Sequence, residues 1–427
     1  MRAGRTRPKP TGRKLLRGSS LQPLRHRDFA LVWSAALVSN IGSWMQTVAV
    51  GVLVTALTDQ ARWTGLVAAA AFLPIGLLAP VGGAMADRVD RRRWLLATTV
   101  GETLFAALLA FLVATGHATP AGVTLVVLAG GCMTALGFPA YQAILPDLVE
   151  REELLGAISL GSAQYNLGRV VGPALAGLVL AAGSYSWAFV LNAASFAAVL
   201  AALVFVRIPP SPPDVEEGSL RRRIATGARA ALAEPGCRLA IATIAVTALL
   251  LSPFIALIPA VALKLFDAGD SGTSVLVTAQ GIGAVVGALA MAPLARRFGR
   301  RRVLLADLGV LPFTVALYAL APSLGLATAA LVALGAAYIG VLSGLGTVVQ
   351  LRAPAAYRAR VLSLYMVALG VIYPIGAVVQ GSLGDRFGIR AVTVGCALVF
   401  AGLLVTVLTT RGEIAASFDD PPVRATP

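Results

Sequence analysis

The sequence predicts an all-α membrane protein of twelve transmembrane helices arranged as two six-helix bundles. Three observations carry the prediction. Only 13% of the 427 residues are charged, 57% are hydrophobic, and the mean hydropathy is +0.81; a water-soluble globule of this size would need far more polar surface. Apolar runs of about 20 residues, the length that crosses a hydrocarbon core about 30 Å thick, recur along the chain. Basic residues gather in every second connection between those runs, as they do in multi-pass proteins.

In order, the spans fall at 29–57, 64–86, 94–114, 120–145, 157–182 and 187–206, and after a break at 238–262, 273–295, 303–321, 326–350, 360–381 and 391–410. They are much longer than the roughly 10-residue alternating strands of an outer-membrane barrel, so helices are the expected solution. The chain divides into a basic tail (1–27), a first bundle (28–206), a linker (207–237), a second bundle (238–410) and a short tail (411–427).

Charge sets the expected orientation. With an inside amino terminus, the inside segments collect nearly all of the 35 lysines and arginines; the outside loops hold only Arg62, Lys264, Arg386 and Arg390, and Arg169 lies within a predicted span. Cytoplasmic loops retain positive charge during insertion, so both termini are expected in the cytoplasm of a bacterium whose inner membrane holds the protein. The net charge of +15 then reflects topology and attraction to an anionic inner leaflet rather than nucleic-acid binding. The opening "MRAGRTRPKPTGRKLLRG" has no apolar core of the signal-peptide kind.

Several chemistries are not signalled. Cys132, Cys237 and Cys396 are far apart and lack histidine neighbours, so neither a metal site nor a disulfide framework is indicated. The histidines, His26 and His117, fall at helix ends or loops. No GxxxxGK[ST] phosphate loop is present, and no cluster of His, Asp or Cys at one depth suggests an enzyme. No cofactor is expected, and the fold is expected to work as a monomer.

The two halves share a plan. "DRVDRRRWLL" at 87 matches "RRFGRRRVLL" at 296, an offset of 209, while Gln142 and Pro146 match Gln350 and Pro354, an offset of 208. Between the halves, "RIPPSPPDVEEGS" is a Pro- and acid-rich linker. In the following "LRRRIATGARAAL", Leu220, Ile224, Ala228 and Leu232 recur every four residues with arginines on the other face, a pattern that suits a helix lying along the inner membrane surface.

From Leu24 to about Thr410 the chain resembles the major facilitator superfamily of secondary transporters. It is closest to the bacterial exporter branch that includes the enterobactin exporter and drug-efflux proteins. The opening "LRHRDFALVWSAALVSNIGSWMQ" and the stretch "LPDLVEREELLGAISLGSAQYNLGRVVGPALAG" look like signatures of that branch. The family's motif between the second and third helices, G-x-x-x-D-R-x-G-x-R-R, corresponds here to Gly83, Asp87, Arg88, Asp90, Arg92 and Arg93, with Asp90 in place of the second glycine. Aspartate tolerates a left-handed turn, so the turn is expected to survive. The second copy keeps Gly299 but has Arg296 where the aspartate belongs. The resemblance implies a cytoplasmic latch between the bundles, with Asp87 near the amino end of the eleventh helix, whose dipole favours an anion. The plainer reading is a topology signal alone.

The fifth span carries a second motif. "GRVVGPALAG" resembles the exporter motif G-x-x-x-G-P-x-x-x-G through Gly168, Gly172, Pro173 and Gly177. Small residues four apart also serve simple close packing, and Pro173 can bend the span. Ionisable groups inside the membrane are functional candidates: Glu102, about 13 Å into the core by helical rise, Arg169 near the middle of the fifth span, and Asp307 near an interface. Ser162, Asn166, Arg169 and Pro173 share one helical face. Glu102 has two open roles, carrying the coupling proton or neutralising Arg169 as a structural partner.

By resemblance, the first, fourth, seventh and tenth helices, with parts of the second, fifth, eighth and eleventh, line the path. They offer Asn40, Trp44, Gln46, Tyr141, Gln142, Gln164, Tyr165, Phe254, Tyr338, Tyr365, Met366 and Tyr373. Aromatics with amides suit a small amphipathic organic substrate, although any one of them can be packing. The expected function is proton-coupled export of such molecules by alternating access, with import, lysophospholipid transport or non-transporting sensing as alternatives.

Overall fold

The computed structural model describes residues 21–182, 184–207, 220–354, 357–410 and 416–419. The basic tail before residue 21, most of the Pro-rich linker and most of the final tail lie outside the described residues. The first half comprises α1 (Arg27–Thr58), α2 (Ala61–Arg88), α3 (Arg91–Ala114), α4 (Pro120–Asp147), α5 (Leu154–Ala181) and α6 (Tyr185–Phe205). A connecting helix, α7 (Leu220–Ala233), precedes α8 (Pro235–Leu250), α9 (Phe254–Phe266), α10 (Gly269–Phe298), α11 (Arg300–Leu320) and α12 (Leu324–Arg352). The last elements are α13 (Arg358–Val367), a π turn (Ala368–Ile372), α14 (Tyr373–Phe387) and α15 (Ile389–Thr410).

Among the described residues, eleven helical runs are long and apolar enough to cross a membrane, with α8 and α9 taken together as one of them. The span α5 is not among them, although it has 28 residues. It is the span that holds Gln164, Asn166 and Arg169, polar groups that a lipid-facing helix avoids.

Two spans are interrupted where hydropathy shows continuous runs. The seventh breaks between α8 and α9 because Pro253 has no N–H to donate and its ring crowds the preceding turn. Unpaired carbonyls are costly in a membrane, and Gln380 of α14 resolves this: its Nε2 donates to the carbonyls of Leu249 and Leu250, each at 2.9 Å. Gly376, one turn earlier on α14, lets that helix come close, since a Cβ there would stand 2.6 Å from the Leu249 oxygen. The eleventh span is interrupted by the π turn, where α13 and α14 join.

In the first bundle α1 packs on α5 and α6, α2 on α4, and α3 on α4 and α6. In the second, α10 packs on α9 and α12, α11 on α12 and α15, and α8 on α12. The bundles meet through α2 against α14, α5 against α10 and α1 against α9. Connections α2–α3, α4–α5, α10–α11 and α12–α13 lie at one end, the basic end, with α7 beside α8 and α13; connections α1–α2, α3–α4, α5–α6, α9–α10, α11–α12 and α14–α15 form the opposite end.

The duplication is visible in the backbone. Asp59 after α1 and Asp267 after α9, 208 positions apart, both take φ 48°, a left-handed conformation that aspartate tolerates better than most residues. Gly299 and Gly388, before α11 and α15, take φ 87° and 88°. Asp90 departs from the expectation that its turn would be left-handed: it sits at φ −53°, ψ 117°, and its side chain caps α3 by accepting from the Arg93 N–H at 2.8 Å. The cap satisfies an N–H that the helix start leaves open, so a different turn does the same job.

Candidate functional site

The site is built where the bundles meet, and it has an end and a middle. At the basic end, two arginines of the first loop, Arg91 and Arg92, turn into their own bundle. Arg91 pairs with Asp147 of α4 at 3.1 Å, and Arg92 donates from Nη2 to the Val204 carbonyl of α6 at 2.7 Å. Arg88 and Arg93 are exposed. Gly83 is loosely surrounded, since a Cβ there would meet only Pro139, at 3.8 Å. Asp87 lies in the last turn of α2. The span α2 runs along α14 and the π turn but barely touches α13, so the bundles part toward this end.

At the opposite end, a third copy of the loop motif stands between α14 and α15: "GSLGDRFGIR", with Gly381, Asp385, Arg386, Gly388 and Arg390 at the motif spacing. It lacks only the final arginine. Its aspartate caps the other bundle. Oδ1 of Asp385 accepts from the Ala61 N–H at 2.7 Å and Oδ2 from the Arg62 N–H at 2.9 Å, at the first residues of α2. Those amides have no partner within their own helix, and the positive end of the helix dipole favours the carboxylate. Lys264 of α9 adds an ion pair to Asp385 at 3.1 Å and reaches toward Asp59 at 4.0 Å. Gly381 permits the approach, because a Cβ there would stand 2.6 Å from the Ala61 oxygen.

In the middle, Arg169 of α5 is only 8% exposed and crosses between the bundles. Its Nη2 donates to Gln280 Oε1 of α10 at 3.1 Å, and its guanidinium carbon lies 5.7 Å from the Trp44 ring centre. Trp44 meets Tyr165 edge-on at 5.8 Å. The glycines around Arg169 seat its neighbours. A Cβ on Gly168 would come within 3.0 Å of Asn40, one on Gly172 within 2.6 Å of Trp44, and one on Gly177 within 2.8 Å of Ser274 on α10. Thus two glycines of the motif place α5 on α1, and the third places it on α10, with Pro173 inside the helix between them.

The other path candidates are spread between the junction and the interior of each bundle. Tyr373 stands at the junction of the bundles, edge-on to Phe72 of α2 at 5.7 Å. Tyr141 donates to Gln164 at 2.9 Å, joining α4 to α5, while Gln142 and Met366 are exposed. Gln46 accepts from Asn192 of α6 at 2.8 Å within the first bundle. Tyr338, Phe254 and Tyr365 are buried in the second bundle: Tyr338 donates to Ser252 at 3.0 Å and meets Phe254 edge-on, and Tyr365 donates to the Leu342 carbonyl at 2.8 Å.

Glu102 and Arg169 do not pair. Thr134 of α4 donates to Glu102 Oε1 at 2.6 Å, on the α3–α4 contact, and Arg169 belongs instead with Gln280. No group of three or more potential metal ligands occurs among the described residues. Sequence reasoning missed Asp385, Lys264 and Gln280. The signal for Asp385 was present as the motif at 381–390, whereas Gln280 is a neutral residue 111 positions from Arg169 and left no trace.

Two duplicated helical bundles that meet across paired helices, with polar side chains at the junction, define a membrane transporter rather than an enzyme. The family model described as "Transmembrane secretion effector" matches residues 18–421. The chain belongs to that family, within the major facilitator superfamily. It is 28% identical over 406 residues to the enterobactin exporter EntS of Citrobacter koseri, covering 93% of this chain and 95% of the relative. A shorter match, 32% over 150 residues, links it to the staphyloferrin A transporter of Staphylococcus aureus, covering 35% of this chain and 38% of that protein. Among solved structures, a bacterial homolog of the human lysosomal transporter Spinster, inward-facing and unoccupied, superposes with a TM-score of 0.73 at 15% identity, over 94% of this chain and all of that one. A bacterial homologue of ferroportin in an inward-facing state gives 0.67 at 17%, over 89% and 98%.

Proposed function

We propose that the protein is an inner-membrane exporter of small amphipathic organic molecules, working by alternating access with its basic end in the cytoplasm, and that the structure is its inward-facing state. One observation carries the reading: the bundles are fastened at the opposite end, through Asp385 and the start of α2, and part toward the basic end. The exporter among the relatives favours outward transport. The siderophores named for them are the first substrates to try.

The two loop copies suggest how the states exchange. Asp385 at the end of α14 caps the start of α2. By the same geometry Asp87, at the end of α2, would cap the start of α13 when the basic end closes. The N-terminus of α13, at Tyr357, has no side-chain cap in this state. A proton is the proposed coupling ion. Glu102 is the proposed carrier, because no described cation pairs with it, so taking up a proton leaves no partner's charge stranded, and the Thr134 hydroxyl donates to its carboxylate. The α7 arginines are proposed to rest on the anionic inner leaflet.

Inside-out vesicles test the function. Acidifying their interior should drive uptake of enterobactin or staphyloferrin A, collapse of the proton gradient should abolish it, and Glu102→Gln should leave only gradient-independent exchange. Uptake that survives collapse of the gradient contradicts the coupling; failure of every compound in a broad panel to move contradicts export.

A further inference from the structure

We infer that Arg169 and Gln280 form an anion subsite of the transport path, one that receives the carboxylate or other acidic group of an aromatic substrate. This rests on the transport reading above and names the class of molecule carried. An arginine offers five N–H donors and accepts nothing. Here one of them is used on a neutral amide oxygen at 3.1 Å, and Nε is buried with no partner. Gln280, 1% exposed, has given its oxygen to Arg169, and its Nε2 is likewise buried and unpartnered. The unspent capacity of both side chains at this junction is therefore donor capacity. Buried polar groups are ordinarily satisfied, and what would satisfy these is an acceptor.

Charge points the same way. No described carboxylate forms an ion pair with Arg169, and Glu102 is engaged by Thr134 on the α3–α4 contact. A guanidinium held inside a membrane protein without a counter-charge is costly, and a planar, bidentate carboxylate matches its fork of donors. Its neighbours are aromatic: Trp44 lies under the guanidinium, and Tyr165 stands edge-on to Trp44. An aryl group attached to the anion would find stacking surface there. Trp44 and Arg169 belong to the first bundle and Gln280 to the second, so a ligand bridging them bears directly on the equilibrium between the two states.

The test compares two probes of one shape, 1-naphthoate and its neutral amide 1-naphthamide, by calorimetric titration of the full-length protein in nanodiscs. The wild type should prefer the anion by about tenfold or more, the worth of one charge-assisted hydrogen bond. Arg169→Gln should erase that preference by weakening naphthoate alone, and Arg169→Lys should keep part of it. The wild-type comparison stands even if Arg169→Gln fails to fold. Equal binding of the two probes, binding of neither, or full naphthoate affinity in a folded Arg169→Gln protein would overturn the inference. Failure of the transport reading looks different: it is anion binding at Arg169 with no flux of any compound.

Discussion

The two ends of the molecule carry the same loop motif in different conditions, and the contrast suggests a role for the motif. At the opposite end, Gly381 and Asp385 are engaged across the bundles: the glycine lets α14 reach the start of α2, and the aspartate caps it. At the basic end, Gly83 touches little, Arg92 is turned into its own bundle, and α2 hardly meets α13. One motif is closed where the other is open. On the proposed reading the aspartate acts as a removable helix cap, while Arg91 and Arg92 hold the basic-end loop to its own bundle.

The largest expected effect breaks the closed copy. Asp385→Ala removes two charge-assisted backbone hydrogen bonds and the Lys264 pair. Hydrogen bonds to charged groups contribute about 1.5–3 kcal/mol each, so the loss of even one of the two should cost the inward-facing state roughly tenfold to a hundredfold in population. A probe cysteine at Tyr373, beside Phe72 at the junction of the bundles, should gain labelling from outside. Next, Gly381→Ala should weaken the same state by about 1–3 kcal/mol through overpacking against Ala61, while Gly83→Ala, with open space around it in this state, should leave this state's packing and thermal stability unchanged. A third contrast lies in the turns. Gly388→Ala forces a side chain into φ 88° and should lower thermal stability by about 1–2 kcal/mol. Asp90→Gly gives up the side-chain cap, but glycine is itself a tolerated N-cap, so the cost should be only about a few tenths of a kcal/mol, and melting curves should separate the two. Smallest is Lys264→Gln. Its partner Asp59 is exposed and its pair with Asp385 lies near the surface, so the shift should stay below about 1 kcal/mol.

Much of this was legible in advance. Hydropathy gives the order of the spans, because burial in lipid demands long apolar runs whatever their packing. The halves are legible from the offset that joins Arg-rich loops 208 or 209 positions apart. The breaks in the seventh and eleventh spans are not, since Pro253 sits in an apolar run and its cost is met by Gln380, far away in sequence. Lys264, Arg386 and Arg390 read as stray charges on the sparsely charged side in a count that asks only about topology. The same residues, asked about spacing, belong to a motif copy or its partner. Arg169 is conspicuous as a buried cation, but a neutral partner on another bundle cannot be inferred from charge pairing.

The most direct test of paired, opposing caps measures both ends at once. With the native cysteines replaced, spin labels at His117 and Pro322 report the opposite end, and labels at Val89 and Phe298 report the basic end. Pulsed electron paramagnetic resonance then gives the distances across each. Asp385→Asn should lengthen the first distance and shorten the second, Asp87→Asn should do the reverse, and the double variant should return toward the wild-type balance. Shifts in the same direction for both single variants, or none for Asp385→Asn, would contradict the account.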